Sequence, residues 1–206
     1  MPSNSPFPSL ILASSSVYRR ELLSRLQLPF SFRVPNLDET PLAGESPVAT
    51  ALRLAQEKAQ AITAESGKAL IIGSDQVATL DNMQIGKPGN HDSALKQLQL
   101  MRGREVAFHT ALCLLDTREN AAFPVQLEDV TTIVRFRDLN DAELDAYLRI
   151  EQPYDCAGSA KNEGLGIAIL ESIDSQDPTA LTGLPLIALS SMLRRAGVTF
   201  FQQGYI

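Results

Sequence analysis

Two cations stand where helices should be apolar. At about 100° per residue, Leu22, Leu23 and Leu26 mark the buried face of a helix expected over Val17 to Leu28, and Arg19 projects onto that face. A guanidinium placed there needs a carboxylate or a phosphate. A structural ion pair meets that need, and so does an anion site. The anion site gains weight because Arg19 lies in the first turn, beside free backbone N–H groups and the hydroxyls of Ser14-Ser15-Ser16. Lys58 repeats the pattern. It falls inside the face made by Ala51, Leu54, Ala55, Ala59 and Ile62, so it must snorkel to solvent or reach a partner.

The candidate carboxylates lie elsewhere. Asp75 follows the apolar run Ile71-Ile72-Gly73 and reads as placed just past a buried strand, a common way to present a carboxylate in a cleft. Aspartate is also a common turn residue. Glu39, in Asp38-Glu39-Thr40, and Lys87, in Gly86-Lys87-Pro88, sit on loops where solvation is the ordinary role. The stretch Cys156-Ala157-Gly158-Ser159-Ala160-Lys161-Asn162-Glu163-Gly164 is a small-residue loop with one cation and one anion. It suits close ligand approach or a plain surface turn.

These groups belong to a chain of 206 residues, 44% hydrophobic and 20% charged, long enough for a substantial core. Lys and Arg number 18 against 24 Asp and Glu, a net charge of −6. That balance argues against a general grip on nucleic acid or an anionic membrane. Cys113 and Cys156 are too few for a disulfide framework or a cysteine zinc site, and read as the reduced thiols of a cytoplasmic protein. No apolar run approaches the roughly 20 residues of a membrane span. The first nine residues do not resemble a signal peptide. There is no Walker A loop, dinucleotide-binding glycine fingerprint or serine-hydrolase elbow, and neither His91 nor His109 sits in a metal-ligand motif.

The elements that must position these residues alternate. Strands are expected at Leu10 to Ala13, Phe30 to Val34, Ala69 to Gly73, Val77 to Leu80, Met83 to Ile85, Glu105 to Leu115, Leu127 to Phe136 and Ile167 to Ile173, with a final edge strand at Val198 to Phe201. Asp81-Asn82 reads as a turn. Beyond the first helix, others are expected from Ser46-Pro47 to about Ser66, from Asn90 to near Gly103, from Asn140 to near Ile150 and from Gly183 to Ala196. Asn140 with Glu143 resembles a capping box. The mixture predicts an α/β (mixed α+β) fold in a single domain over residues 1–206, with flexible tails at 1–8 and about 202–206.

Taken together, the motifs resemble the Maf family of nucleoside triphosphate pyrophosphatases. Ala13-Ser14-Ser15-Ser16-Val17-Tyr18-Arg19-Arg20-Glu21-Leu22-Leu23 matches its N-terminal signature. Asp38-Glu39-Thr40, Ala55-Gln56-Glu57-Lys58-Ala59, Gly73-Ser74-Asp75, Gly86-Lys87-Pro88 and Gly183-Leu184-Pro185-Leu186 follow in the family's order. Any one motif is weak, but their order over residues 10 to 196 is specific. Val17 departs from the family's usual proline, which affects loop stiffness rather than chemistry. The resemblance implies a two-lobed domain with an elongated, twisted mixed sheet flanked by helices, similar to the inosine triphosphate pyrophosphatase fold. It implies hydrolysis of a nucleoside triphosphate to monophosphate and pyrophosphate by water attack at the α-phosphorus. A divalent metal, Mg²⁺ or Mn²⁺, and a possible homodimer are implied too. By resemblance Asp75 is the proton acceptor, Glu39 and Asp75 hold the metal, and Lys58 and Lys87 join the catalytic set. Ser14, Arg19 and Lys161 bind substrate.

Tyr18, Gln76 and Glu163 occupy the positions that separate the family's branches. Their combination looks like the branch acting on 7-methyl-GTP. The alternatives are dTTP or UTP hydrolysis, or a nucleotide-binding regulatory protein with little turnover. N7-methylation makes guanine a delocalised cation. Tyr18 can offer it a ring face, worth about 0.5–2 kcal/mol. Glu163 can accept from the base edge, and Gln76 can donate and accept there.

Overall fold

The computed structural model describes residues 8–201, so the expected tails lie almost wholly outside the described residues. A seven-stranded mixed sheet organises the described residues. Its strands are β1 (Ser9–Ala13), β2 (Ser31–Arg33), β3 (Ala69–Leu80), β4 (Met83–Ile85), β5 (Glu105–Asp116), β6 (Val125–Phe136) and β7 (Leu170–Ser175). The helices are α1 (Val17–Ser24), α2 (Pro47–Ala61), α3 (His91–Met101), α4 (Asp141–Glu151) and α5 (Leu186–Arg195). The sheet order is β2-β1-β3-β5-β6-β7, with β4 paired to β3. The β2-β1-β3 part is parallel, and every pairing from β3 through β7 is antiparallel.

The long central strand β3 decides where the site lies. Its first half pairs with β1 up to Gly73, and its far end pairs with β4 from Ala78. Between them Ser74, Asp75, Gln76 and Val77 have β5 on one side and, among the described residues, no strand on the other. A gap of this kind, where the neighbours of a strand change, leaves a crevice in the sheet edge.

Three apolar clusters fix the helices around the gap. Leu10, Leu12, Leu70, Ile72, Leu112 and Leu114 pack one sheet face against α1 and α5. Ile11, Ala13, Ile71, Ala111 and Cys113 pack the other face against Ala51, Ala55 and Ala59 of α2. Ala78, Leu80, Val106, Phe108, Val134 and Phe136 form a second lobe with α3 and α4. The alanine stripe of α2 comes very close to β3: a Cβ built on Gly73 would lie 2.0 Å from the Ala55 carbonyl oxygen. Glycine at 73 is therefore what permits this helix–strand approach.

Several expected boundaries shift for local reasons. Asp75 is not past a strand but inside one, because β5 pairs β3 beyond the end of its apolar run. Helix α1 stops at Ser24 rather than Leu28. Gln27 is left-handed (φ 55°), and Leu28 precedes proline and turns into the core. Helix α2 ends at Ala61, followed by a 3₁₀ turn at Thr63–Glu65. A 3₁₀ turn at Leu165–Ile169 replaces the start of the expected Ile167 strand. Helix α5 begins at Leu186, after Pro185, not at Gly183. Val198 to Phe201 forms no strand: Val198 bonds back to Leu193 and, with Phe200, packs on the core. The Asn140–Glu143 capping box and the Asp81-Asn82 turn are present as expected. No helix among the described residues is long and apolar enough to cross a membrane.

Candidate active site

The sheet gap opens into a cleft of about 680 Å³, within the usual range for a small-ligand site. Successive β3 side chains face opposite ways and do different work. Ser74 and Gln76 bond the segment Ala180–Gly183, whereas Asp75 points to α2. There the close helix–strand approach delivers Lys58. Its ammonium donates to Asp75 Oδ1 at 2.6 Å and pairs with Glu39 Oε1 at 3.0 Å. Lys58 is 6% exposed, so it reaches partners rather than snorkelling. Burial pushes the Asp75 carboxyl above the ordinary aspartate range, opposed by Lys58 and Arg19. Asp75 Oδ2 has no hydrogen-bond partner among the described residues.

Arg19 resolves between its two sequence readings. No carboxylate pairs with it among the described residues. Its Nε donates to the Gly183 carbonyl at 2.8 Å, and its Nη1 reaches Ser14 Oγ at 3.5 Å. Burial lowers its pKa, while Asp75 and Glu39 act in the opposite sense. The guanidinium is thus anchored along one edge and lines the cleft with the other. Gly183, left-handed at φ 105°, also accepts from Ser74 Oγ, and a Cβ on it would press within 3.3 Å of Arg19 Nε. Ser14 Oγ further accepts from the Ser16 N–H, and Ser16 caps α1 by accepting from Arg19 N–H. Lys87 also lines the cleft, exposed and without a protein partner among the described residues.

The cleft lining also includes Tyr18, Asp155, Cys156, Asn162 and Glu163. Burial raises the Tyr18 hydroxyl and the Glu163 carboxyl above their ordinary values, although Glu163 keeps substantial solvent contact. The Cys156 thiol is pushed up to about 12 by burial and stays protonated. Gln76 also lines the cleft, but its amide N–H₂ is committed to Thr110 Oγ1, Ala180 O and Leu181 O at 2.9–3.1 Å. Only its oxygen remains for a ligand, so the expected donation to a base edge is not available in this arrangement. Lys161 stands apart from the cleft lining. Its ammonium pairs with Glu151 at 2.9 Å and lies 5.9 Å from the centre of the Tyr18 ring. The Glu151 bond raises its pKa.

One supporting residue escaped the sequence reading. Asp177 is buried and accepts from the N–H groups of Ile187 and Ala188, capping α5, and from Thr179 N–H and Oγ1. It therefore anchors both ends of the segment that carries Gly183. Asp177-Pro178-Thr179 signals a turn in the sequence, but a cap ten residues downstream has no local signature.

Among the described residues no group of three or more His, Cys, Asp or Glu could hold a metal by itself. The donor set still suits a hard cation. Two carboxylates, Glu39 and Asp75, face each other across one ammonium, and Asp75 keeps a free oxygen. Mg²⁺ characteristically takes one or two carboxylates and completes its shell with substrate phosphates and water.

A family description, Maf-like protein, matches residues 9–196. A Cupriavidus metallidurans protein named 7-methyl-GTP pyrophosphatase is 66% identical, covering 94% of this chain and 96% of its own. A Burkholderia thailandensis protein of the same name is 65% identical, covering 96% and 92%. Among solved structures, the Staphylococcus aureus Ham1 protein superposes with a TM-score of 0.52 at 12% identity, covering 90% of this chain and 98% of its own. That likeness concerns the fold alone.

Proposed function

The chain belongs to the Maf family, and on that premise we propose that it hydrolyses 7-methyl-GTP to 7-methyl-GMP and pyrophosphate. The observation that carries the substrate assignment is that one cleft is lined by both cations and acids. Arg19 and Lys58 stand together beside Asp75 and Glu39, and Lys87 also lines the cleft, so the lining offers the cations that a triphosphate needs. Asp155 and Glu163 line the same cleft around Cys156, while the charge of Lys161 is already offset by Glu151. A ligand that is anionic at its tail and cationic at its base matches both sets of groups.

In this reading Asp75 Oδ2 accepts a proton from the attacking water, in line with the α-phosphorus. The new water oxygen–phosphorus bond forms as the bond to the bridging oxygen breaks, and pyrophosphate leaves with the electron pair. Lys58 holds Asp75 in place from α2 and, with Arg19 and Lys87, neutralises charge developing on the phosphates. Ser14 orients Arg19. Glu39 and Asp75 would hold a divalent cation such as Mg²⁺ or Mn²⁺, which supplies further charge neutralisation to the phosphoryl oxygens. Tyr18 closes the base end with its ring, and Glu163 accepts from the base edge. Lys161 contributes by ordering the Tyr18 ring rather than by touching phosphate.

Pyrophosphate release from 7-methyl-GTP, GTP, dTTP, UTP and CTP in the presence of Mg²⁺ tests the proposal. The expected result is strong preference for 7-methyl-GTP, with Glu163→Gln reducing its advantage over GTP about tenfold. Preference for dTTP or UTP would overturn the substrate assignment but keep the chemistry. Binding without release would favour a regulatory nucleotide-binding protein. An unchanged preference in Glu163→Gln would remove the charge-matching argument.

A further inference from the structure

Two loops from different parts of the chain form the second-lobe wall of the cleft. One carries Gly86 and Lys87 after β4. The other, Asp155 to Glu163, is the loop read above as facing the base. Gln97 of α3, which does not line the cleft, joins them. Its Nε2 donates to the Gly86 carbonyl at 3.0 Å, and its Oε1 accepts from Ser159 Oγ at 2.7 Å. A carbonyl only accepts, which fixes the amide's orientation and leaves both halves of the side chain engaged. Gly89 N–H bonds to the Tyr154 carbonyl at 2.9 Å and stitches the same two loops a second time.

The Ser159 end is rigid. Ser159 is fully buried and left-handed at φ 54°, an unusual conformation for a non-glycine residue. Its carbonyl accepts from the Tyr147 hydroxyl, and its N–H bonds to Cys156 O. Such a conformation persists only where its surroundings over-determine it. Gly158, at φ 70°, backs directly onto Phe108. The bridge therefore runs from a fixed point in the base loop to the backbone atom just before Lys87.

We propose that Gln97 is a positioning residue that sets the spacing between the base loop and the Lys87 loop, so that recognition of the base fixes where Lys87 meets the phosphates. The inference rests on the reading that the Asp155–Glu163 loop faces the base and Lys87 faces the phosphates. Each half of the bridge has its own variant. Gln97→Glu keeps an acceptor for Ser159 and loses the donor to Gly86. Ser159→Ala keeps the Gly86 bond and cuts the side-chain tie from Gln97 to the base loop. Gln97→Leu removes both.

The test is steady-state kinetics of 7-methyl-GTP and GTP hydrolysis by the full chain and these variants, with melting temperatures measured in parallel. Gln97→Leu is expected to raise KM for 7-methyl-GTP about tenfold, the scale of one or two lost hydrogen bonds, with kcat within about twofold. Its preference over GTP should fall about fivefold. Gln97→Glu should raise KM and keep the preference, whereas Ser159→Ala should lose preference. Adding Ser159→Ala to Gln97→Leu should then change selectivity little further. A fall in kcat alone, tracking melting temperature, would make Gln97 merely structural and overturn the inference. So would wild-type kinetics in Gln97→Leu. Failure of the unsubstituted chain to hydrolyse 7-methyl-GTP would overturn the functional reading, and this inference with it.

Discussion

Asp75→Asn is expected to reduce 7-methyl-GTP turnover by about a thousandfold, within the usual range for losing a general base. Asparagine has nearly the same shape, and its oxygen can still accept from the Lys58 ammonium, which Asp75 Oδ1 receives at 2.6 Å. Its NH₂ takes the place of Oδ2 and cannot take a proton. Lys58 keeps Glu39 at 3.0 Å, so the substitution does not strand a buried cation. The protein should remain folded, and in the absence of divalent cation 7-methyl-GTP should bind within about threefold of the unsubstituted chain or more tightly, because one negative charge near the phosphates is gone. Pyrophosphate release and calorimetric titration together check this. Residual turnover above about a tenth of the original would show that Asp75 is not the proton acceptor.

Gly73→Ala is expected to destabilise the fold by about 3 kcal/mol or more, at the upper end of overpacking effects. The added Cβ would meet the Ala55 carbonyl oxygen at 2.0 Å and the Ala59 N at 3.0 Å. Both are helix backbone, so no side-chain rotation relieves the clash. Helix α2 must retreat from β3, and Lys58 sits on that helix between the two contacts. The melting temperature should fall by about 10 °C, and the surviving folded protein should lose most of its turnover as the Lys58–Asp75 contact opens. Differential scanning calorimetry with parallel activity measurement reads both effects. A melting temperature within about 2 °C of the unsubstituted chain would mean that the helix can move freely, contrary to this packing.

Both predictions turn on a site whose parts were unequally legible in the sequence. Lys58 stood out because an ammonium on an alanine-rich face is a physical contradiction, and a contradiction points to a partner. Arg19 stood out for the same reason. What it could not show was that its anchor is the Gly183 carbonyl, 164 residues away, rather than a carboxylate. Asp75 was found but misplaced. The apolar run stops at Gly73, whereas pairing with β5 carries the strand through polar residues that face the cleft. Strand continuation of that kind is decided by the neighbouring strand and leaves no periodic trace.

Other features were tertiary from the outset. Glu151 neutralises Lys161, Asp177 caps α5 from outside the helix, and Gln97 ties two loops together. Each is an ordinary polar residue in its local context, and only the fold gives it a partner. The edge strand expected at Val198 to Phe201 failed for the converse reason. Val198 and Phe200 pack on the core while Phe201 is exposed, so β-like composition did not require β pairing.

The central claim is that water attacks the α-phosphorus of 7-methyl-GTP in this cleft. Hydrolysis in ¹⁸O-labelled water, with the products identified by mass spectrometry, tests it most directly. The account predicts 7-methyl-GMP carrying one labelled oxygen and unlabelled pyrophosphate. Label in the pyrophosphate would place the attack at the β-phosphorus, and release of 7-methyl-GDP with inorganic phosphate would place it at the γ-phosphorus. Either result would contradict the account.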